Sequence, residues 1–270
     1  MITGTLRKLK TNLNSKNNLV EYTLPLKGKS EQDVDLNLLI GKDISLKHTG
    51  NKYCIDTDKK VKKLYHQGYS WESFITLPEC DSCIFKPELC HYSHGTCRDP
   101  KWGEDNCFQP HIVYIAQSSD VKVGITRKKN VPTRWMDQGA YKAIPLLEVK
   151  DRKTSGMVEI EIAKELGDKT NWRKMLKNDI EEVDLLKVRD KVLKKFSKVI
   201  EQNKAEVLDV KEYMFEYPVE QYPEKVKSLN FEKTPEIKGK LVGIKGQYLI
   251  FEHGVINIRR HQGYEIELDY

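Results

Sequence analysis

The chain has 270 residues, 39% of them hydrophobic and 32% charged, with a formal net charge of +6. That length can bury a sizeable core and holds one large domain or roughly two to three small ones. No run approaches the roughly 18 apolar residues of a membrane helix. The opening MITGTLRKLK lacks the apolar stretch of a secretory leader. The expectation is a cytoplasmic protein with no membrane partner.

Residues 1–53 read as strands. LVEYTLPL and DVDLNLLIGKDISLKH carry alternating or β-branched apolar positions, LKGKSEQD reads as a loop between them, and Gly, Ser and Asn mark the turns. In the next stretch Cys54 stands alone, because position 57 is threonine and completes no C-x2-C pair. A lone cysteine is most often a small buried apolar residue.

Residues 80–111 are cysteine-rich, with the spacing C-x2-C-x6-C-x6-C-x9-C-x3-H from Cys80 through Cys83, Cys90, Cys97 and Cys107 to His111. In a reducing compartment such a cluster serves a metal more often than disulfides. A C-x2-C turn brings two thiolates to one tetrahedral zinc at about 2.3 Å. The most compact quartet is Cys80, Cys83, Cys90 and Cys97, with Cys107 as the alternative to Cys90. His91, His94 and His111 are further donors, and an iron–sulfur cluster would use the same thiolates.

From 112 the pattern predicts a hairpin, IVYIA then VKVGIT, followed by a helix with Pro132 in its first turn and Arg134 and Trp135 early in it. KTSGMVEIEIAKEL predicts another helix, carrying Glu159. Over 179–206, Ile180, Val183, Leu186, Val192, Phe196, Val199 and Ile200 trace an amphipathic helix with a solvated lysine face. Residues 207–270 return to strands. Their texture matches the N-terminus, which predicts that the two ends pair into one small barrel or sandwich, OB-like if partly closed. Basic residues concentrate in two segments. Asp120–Lys153 holds nine Lys/Arg against four Asp/Glu, and Lys225–Gln262 holds eight against three. Lys122, Arg127, Lys128, Lys129, Arg259 and Arg260 are the candidates for contacts with nucleic-acid phosphates.

The run CDSCIFKPELCHYSHGTCRDPKWGEDNC…HIVYIA…VKVGITR…PTRWMDQGA resembles a prokaryotic family known as a domain of unknown function. The resemblance continues through NWRKMLK, YPVEQYPEKVKSLN and KTPEIKGKLVGIKGQYLIF. Such relatives carry two further C-x2-C pairs upstream. Here Cys54, Thr57, Ser70 and Ser73 stand at those places, so the resemblance implies that an upstream zinc ribbon is lost and only the later knuckle binds structural zinc. The middle unit resembles a divergent GIY-YIG nuclease domain, with IVY supplying Tyr114 and KVG standing for YIG, Lys122 replacing its tyrosine. The resemblance implies phosphodiester hydrolysis. Tyr114 or a water it orients would be the general base, Arg134 would stabilise phosphate charge, and Glu159 would hold Mg²⁺ or Mn²⁺. Asn171 is the candidate for the late polar residue.

The fold class expected is therefore α+β. A β segment (1–53), a cysteine-rich knuckle with a degenerate ribbon (54–111), a GIY-YIG-like unit (112–178), an amphipathic helix (179–206) and a returning β segment (207–270) follow in order. The function expected is a zinc-stabilised protein acting on nucleic acid. The alternatives are a catalytically silent binder of nucleic acid or ribonucleoprotein, and a zinc-stabilised adaptor for a protein partner.

Overall fold

The computed structural model describes residues 1–28 and 31–270, so Lys29 and Ser30 of the expected LKGKSEQD loop lie outside the described residues. In chain order the elements are β1 (Ile2–Leu6), β2 (Lys10–Leu13), β3 (Val20–Lys27), β4 (Glu31–Asp35), β5 (Asp43–Lys52), α1 (Trp71–Thr76), α2 (Ser82–Phe85) and α3 (Pro100–Cys107). Then come β6 (His111–Gln117), β7 (Val121–Arg127), α4 (Thr133–Asp137), β8 (Lys142–Val149), α5 (Arg152–Leu166), α6 (Trp172–Lys177), α7 (Leu185–Lys195) and α8 (Ser197–Gln202). β9 (Glu206–Val207), β10 (Tyr213–Met214), β11 (Glu236–Lys245), β12 (Tyr248–Phe251), β13 (Gly254–Asn257) and β14 (Tyr264–Asp269) complete the chain. Among the described residues no helix is long and apolar enough to cross a membrane.

The fold is α+β with two antiparallel sheets, one in each of two compact units. Unit 1 comprises Met1–Ile75, Leu176–Asn178 and Phe215–Tyr270, and unit 2 comprises Thr76–Met175 and Asp179–Met214. The ribbon-like stretch up to Ile75 thus folds with the β ends, and the cysteine knuckle with the α/β unit.

In unit 1 the two chain ends pair directly, Ile2 opposite Leu268 and Thr5 opposite Glu265, and β14 continues onto β5. β3 shows why. Val20, Tyr22, Leu24 and Leu26 alternate with polar neighbours and are all buried. Burying each such side chain contributes roughly 1.5–3 kcal/mol, and a one-residue slip would turn all four outward. The expected barrel does not form. The strands run as an open path β13–β12–β11–β5–β14–β1–β3–β2, with β4 on β3. Among the described residues eight strands form this path and β4 makes nine in the sheet, rather than the five of an OB-like closure, and β2 and β13 end the path without meeting.

In unit 2 the sheet order is β10–β8–β6–β7, with β9 on β8. Val113, Ile115 and Val123 point to one face, where Val158 and Ile162 of α5, Leu185 and Val192 of α7, and Ile200 of α8 complete a core. The expected single helix over 179–202 starts later and breaks once. Asp184 caps α7 by accepting from the Lys187 amide, and α7 gives way to α8 at Phe196. The buried face uses Leu185 and Val188 rather than Leu186, which is 43% exposed. Leu185, Val188, Val192 and Phe196 keep the helical spacing that Leu186 does not.

One buried charge in unit 1 runs against this economy. Lys245 is 1% exposed, donates to Asn178 Oδ1 at 2.8 Å, and lies 5.3 Å from the ring centroids of both Tyr217 and Tyr222. Burial pulls its pKa down from 10.5 to about 8, against the opposing pull of Glu216. The unfolded chain therefore binds more protons between about pH 8 and 10.5, and stability rises with pH across that window. Lys245→Met is expected to stabilise the fold at pH 7 by roughly 1–3 kcal/mol. Denaturant titrations of both proteins should show this advantage shrinking as the pH climbs through the same window.

Candidate functional site

The site is built on the sheet face opposite the unit 2 core. Side chains alternate along a strand, so Tyr114 on β6 and Lys122 and Gly124 on β7 share that face. Tyr114 lies opposite Gly124 and Ala116 opposite Lys122 in the register. A Cβ on Gly124 would sit 2.6 Å from both Cζ and Oη of Tyr114, so the phenol ring occupies the space that any larger residue would fill. The ring stands edge-on to Trp135 at 5.5 Å, and its hydroxyl donates to Gln138 Oε1 at 3.1 Å.

α4 follows the cis Val131–Pro132 bond, with Pro132 at its cap rather than within its first turn. It brings Arg134 into hydrogen-bonding reach of the Tyr114 hydroxyl. α5, capped by Asp151 on the Thr154 amide at 2.7 Å, brings Glu159. The charges of the three polar groups are mutually coupled. Burial raises the Tyr114 phenol, with Glu159 adding to the rise and Arg134 opposing it. Burial and Arg134 push Lys122 down to about 8 against Glu159 and Asp168, and Lys122 is 5% exposed. Burial and the like charge of Asp168 push Glu159 up to about 7, while Arg134, Arg152 and Lys122 hold it back.

Tyr114, Lys122, Arg134 and Glu159 thus form one cluster, joined by Gln138 and Asp168. Gln138 was not among the candidates, although it stands four residues after Arg134. Asp168 follows the positive-φ Gly167 (φ 72°) that ends α5, and no sequence signal marks it. Asn171 stands outside the cluster, because its Oδ1 caps α6 by accepting from the amides of Arg173 and Lys174 at 3.2 Å. The other basic candidates are spread out. Arg127 donates to Asn106 O at 3.0 Å and lies 5.6 Å over Trp102, Lys128 pairs with Glu148 at 2.7 Å, and Lys129 is exposed. In unit 1, Arg259 donates to Gln67 Oε1 at 2.7 Å and Arg260 is exposed.

Cys83, Cys90, Cys97 and Cys107 line one cavity of about 20 Å³, and Cys80 is not among the lining residues. Cys80 ends a 3-10 turn, and the next residue, Asp81, caps α2 by accepting from the Cys83 amide. Cys80 is buried, and Cys83 lies close enough to Cys90, Cys97 and Cys107 to feel their charge. All of the cysteines are reduced. Burial, Asp81 and the three neighbouring thiols push Cys83 to about 12, and burial raises Cys107 against the pull of Arg152 and Arg127. Asp81, Cys83 and His91 bring donor atoms within 4.8 Å of one another at the rim, where Arg98 also engages the Asp81 carboxylate at 3.0 Å. His94 is exposed, and His111 is buried at the start of β6 with Nδ1 on Gln109 O. These donors can hold a metal ion.

The knuckle is clamped to α5. Arg152 donates to Ile84 O at 2.5 Å, and a Cβ on Gly156 would meet Pro87 Cβ at 2.7 Å.

At the four ribbon positions a different arrangement stands. Cys54 Sγ accepts from the Ser70 amide at 3.2 Å and lies 3.4 Å from Ser73 Oγ; Ser70 Oγ and Ser73 Oγ are 3.0 Å apart, and Ser73 Oγ donates to Asp56 at 2.9 Å. Burial raises the Cys54 thiol, but hydrogen bonds from Ser73, Ser70 and Thr57 outweigh it and bring the pKa to about 6.

Gly124→Ala is expected to destabilise the protein by about 1–3 kcal/mol through overpacking against Tyr114. Thermal denaturation read against Ala116→Gly, a change on the same sheet face that adds no atoms, would check it.

No curated protein and no solved structure matches the chain. Residues 41–266 match the family described as "Protein of unknown function (DUF2797)", and the chain belongs to that family.

Proposed function

We propose that unit 2 is a GIY-YIG-like phosphodiester hydrolase acting on nucleic acid, and that its cysteine cluster holds a structural zinc ion. The observation that carries the first part is the convergence of Tyr114, Lys122, Arg134 and Glu159 into one coupled cluster. In this reading the Arg134 guanidinium pairs with non-bridging phosphate oxygens and stabilises the charge that builds on them. Tyr114, with its phenol pushed up, stays protonated and orients the attacking water instead of removing its proton. Lys122, near its midpoint at physiological pH, is suited to exchanging that proton. Glu159 is raised by burial and then by the like charge of Asp168, and such a pair of carboxylates is a donor set for a divalent cation. Bound Mg²⁺ would supply charge stabilisation at the leaving oxygen.

A second reading, a catalytically silent nucleic-acid binder, is favoured by the burial of Tyr114, which is 1% exposed. Incubation of the pure protein with labelled single- and double-stranded DNA and RNA plus Mg²⁺ or Mn²⁺ separates the two. Cleavage that falls about 100-fold or more in Arg134→Ala supports the hydrolase. Cleavage unaffected by that change sinks it, and salt-sensitive binding without cleavage leaves the second reading.

The zinc assignment rests on four thiols around one small cavity. Four thiolates with Zn²⁺ carry a net charge of about −2. Arg127 and Arg152, the two cations that act on Cys107, match that charge. Elemental analysis should give about one zinc per chain, lost in Cys107→Ser and kept in Cys80→Ser. Iron with visible absorbance would replace zinc with a cluster, and a chelator that leaves thermal stability unchanged would remove the structural role.

A further inference from the structure

We propose that the surface around Trp71 in unit 1 binds single-stranded nucleic acid, stacking bases on its rings while the adjacent lysines hold the phosphates. This deepens the hydrolase reading by naming a single-stranded substrate class and rests on it for its purpose, though not for the binding itself.

The rings form a connected group. Tyr65 lies 5.1 Å from Trp71 and 6.1 Å from Phe74, and Trp71 lies 5.9 Å from Phe74. His66 joins Phe74 at 6.3 Å. In a protein core such a group would be covered. Here Trp71 is 55% exposed and Ile75, one turn further on α1, is 47% exposed. The loop before α1 is held in a costly shape, with His66 at φ 37° and Gln67 at φ 61°. Arg259 on the Gln67 side chain at 2.7 Å and Gln262 on the Gln67 carbonyl at 3.0 Å fix it.

The charge points to a polyanion. Lys59, Lys60, Lys62 and Lys63 are all exposed in the segment leading into Tyr65, and Lys63 Nζ lies 4.8 Å from the Tyr65 centroid. Arg260 adds an exposed cation next to Arg259. Two acids of the same stretch are engaged: Asp58 holds Arg7 at 2.8 Å and Lys27 at 2.6 Å, and Asp56 accepts from Ser73 at 2.9 Å, while Glu72 beside Trp71 is the exposed acid of α1. The core of a protein interface is depleted of lysine, whereas rings flanked by lysines suit a strand whose bases are unpaired and whose phosphates are regularly spaced. A duplex keeps its base faces stacked inside and offers such rings nothing to cover.

Fluorescence anisotropy of labelled dT20, titrated with the full chain carrying Glu159→Gln to suppress cleavage, tests the surface. Binding is expected at low salt, with log Kobs falling against log[salt] at a slope of about −3 for the four lysines. Trp71→Ala should weaken binding about tenfold and Trp71→Phe much less. The quadruple lysine-to-glutamine variant should flatten the slope. Circular dichroism melts confirm that these exposed changes leave the fold intact. Equal affinity for a duplex of the same length overturns the proposal, as does affinity untouched by Trp71→Ala, or dT20 binding abolished by phosphatidylserine vesicles that the protein prefers. Binding retained without cleavage by the unsubstituted protein counts for this surface and against the catalytic reading alone.

Discussion

The approach of α5 to Pro87 at Gly156 is the contact on which unit 2 depends. Helix and knuckle come so close there that a methyl group would not fit. Arg152 adds a charged donor to the Ile84 carbonyl one turn earlier on the same helix. Glu159 sits three residues after Gly156, on the next turn. The cysteine knuckle therefore sets the height and rotation of the helix that presents Glu159. Through the few residues between Cys107 and His111 it also sets where β6, and so Tyr114, begins. Only the second of these follows from chain order alone. Its strand was the neighbour in the chain, whereas α5 is the neighbour in space.

The cluster on the other sheet face is expensive to fold. Lys122 and Glu159 are both driven toward neutrality, the one down to about 8 and the other up to about 7. Buried ionisable groups shifted in opposite directions destabilise a fold unless something else requires them, and they concentrate where proton transfer or ion binding is needed. Lys245 in unit 1 has the same kind of shift, yet it sits between two tyrosines and an asparagine. That contrast separates a group of titratable neighbours from a single buried lysine.

Much of the fold was legible. The alternation in β3, the pairing of the chain ends and the hairpin of β6 and β7 follow from patterns of period two, which a sequence states openly. Tyr114, Arg134 and Glu159 came from a motif and do converge. What escaped depends on direction changes over one or two residues. Asp81 acts as a cap between Cys80 and Cys83 by accepting from the Cys83 amide, and Phe196 divides one helical pattern into two. The openness of the unit 1 sheet also escaped, because closure depends on strand number and stagger, which local patterning does not encode. Asp168 joins the cluster only through the turn at Gly167, a long-range consequence of where α5 stops.

The hydrogen-bonded group around Cys54 divides the molecule by its dependence on the surroundings. That corner of unit 1 is closed by one thiol, two serine hydroxyls and a threonine, all supplied by the chain itself. The knuckle of unit 2 gathers four thiols that repel one another once ionised and that draw together around a cation. An oxidant that pairs thiols would find partners to cross-link in unit 2. Cys54 has no second thiol beside it among its hydrogen-bond partners. The same polypeptide thus joins a unit whose thiols stand together and a unit whose one cysteine is held by hydroxyl and amide partners.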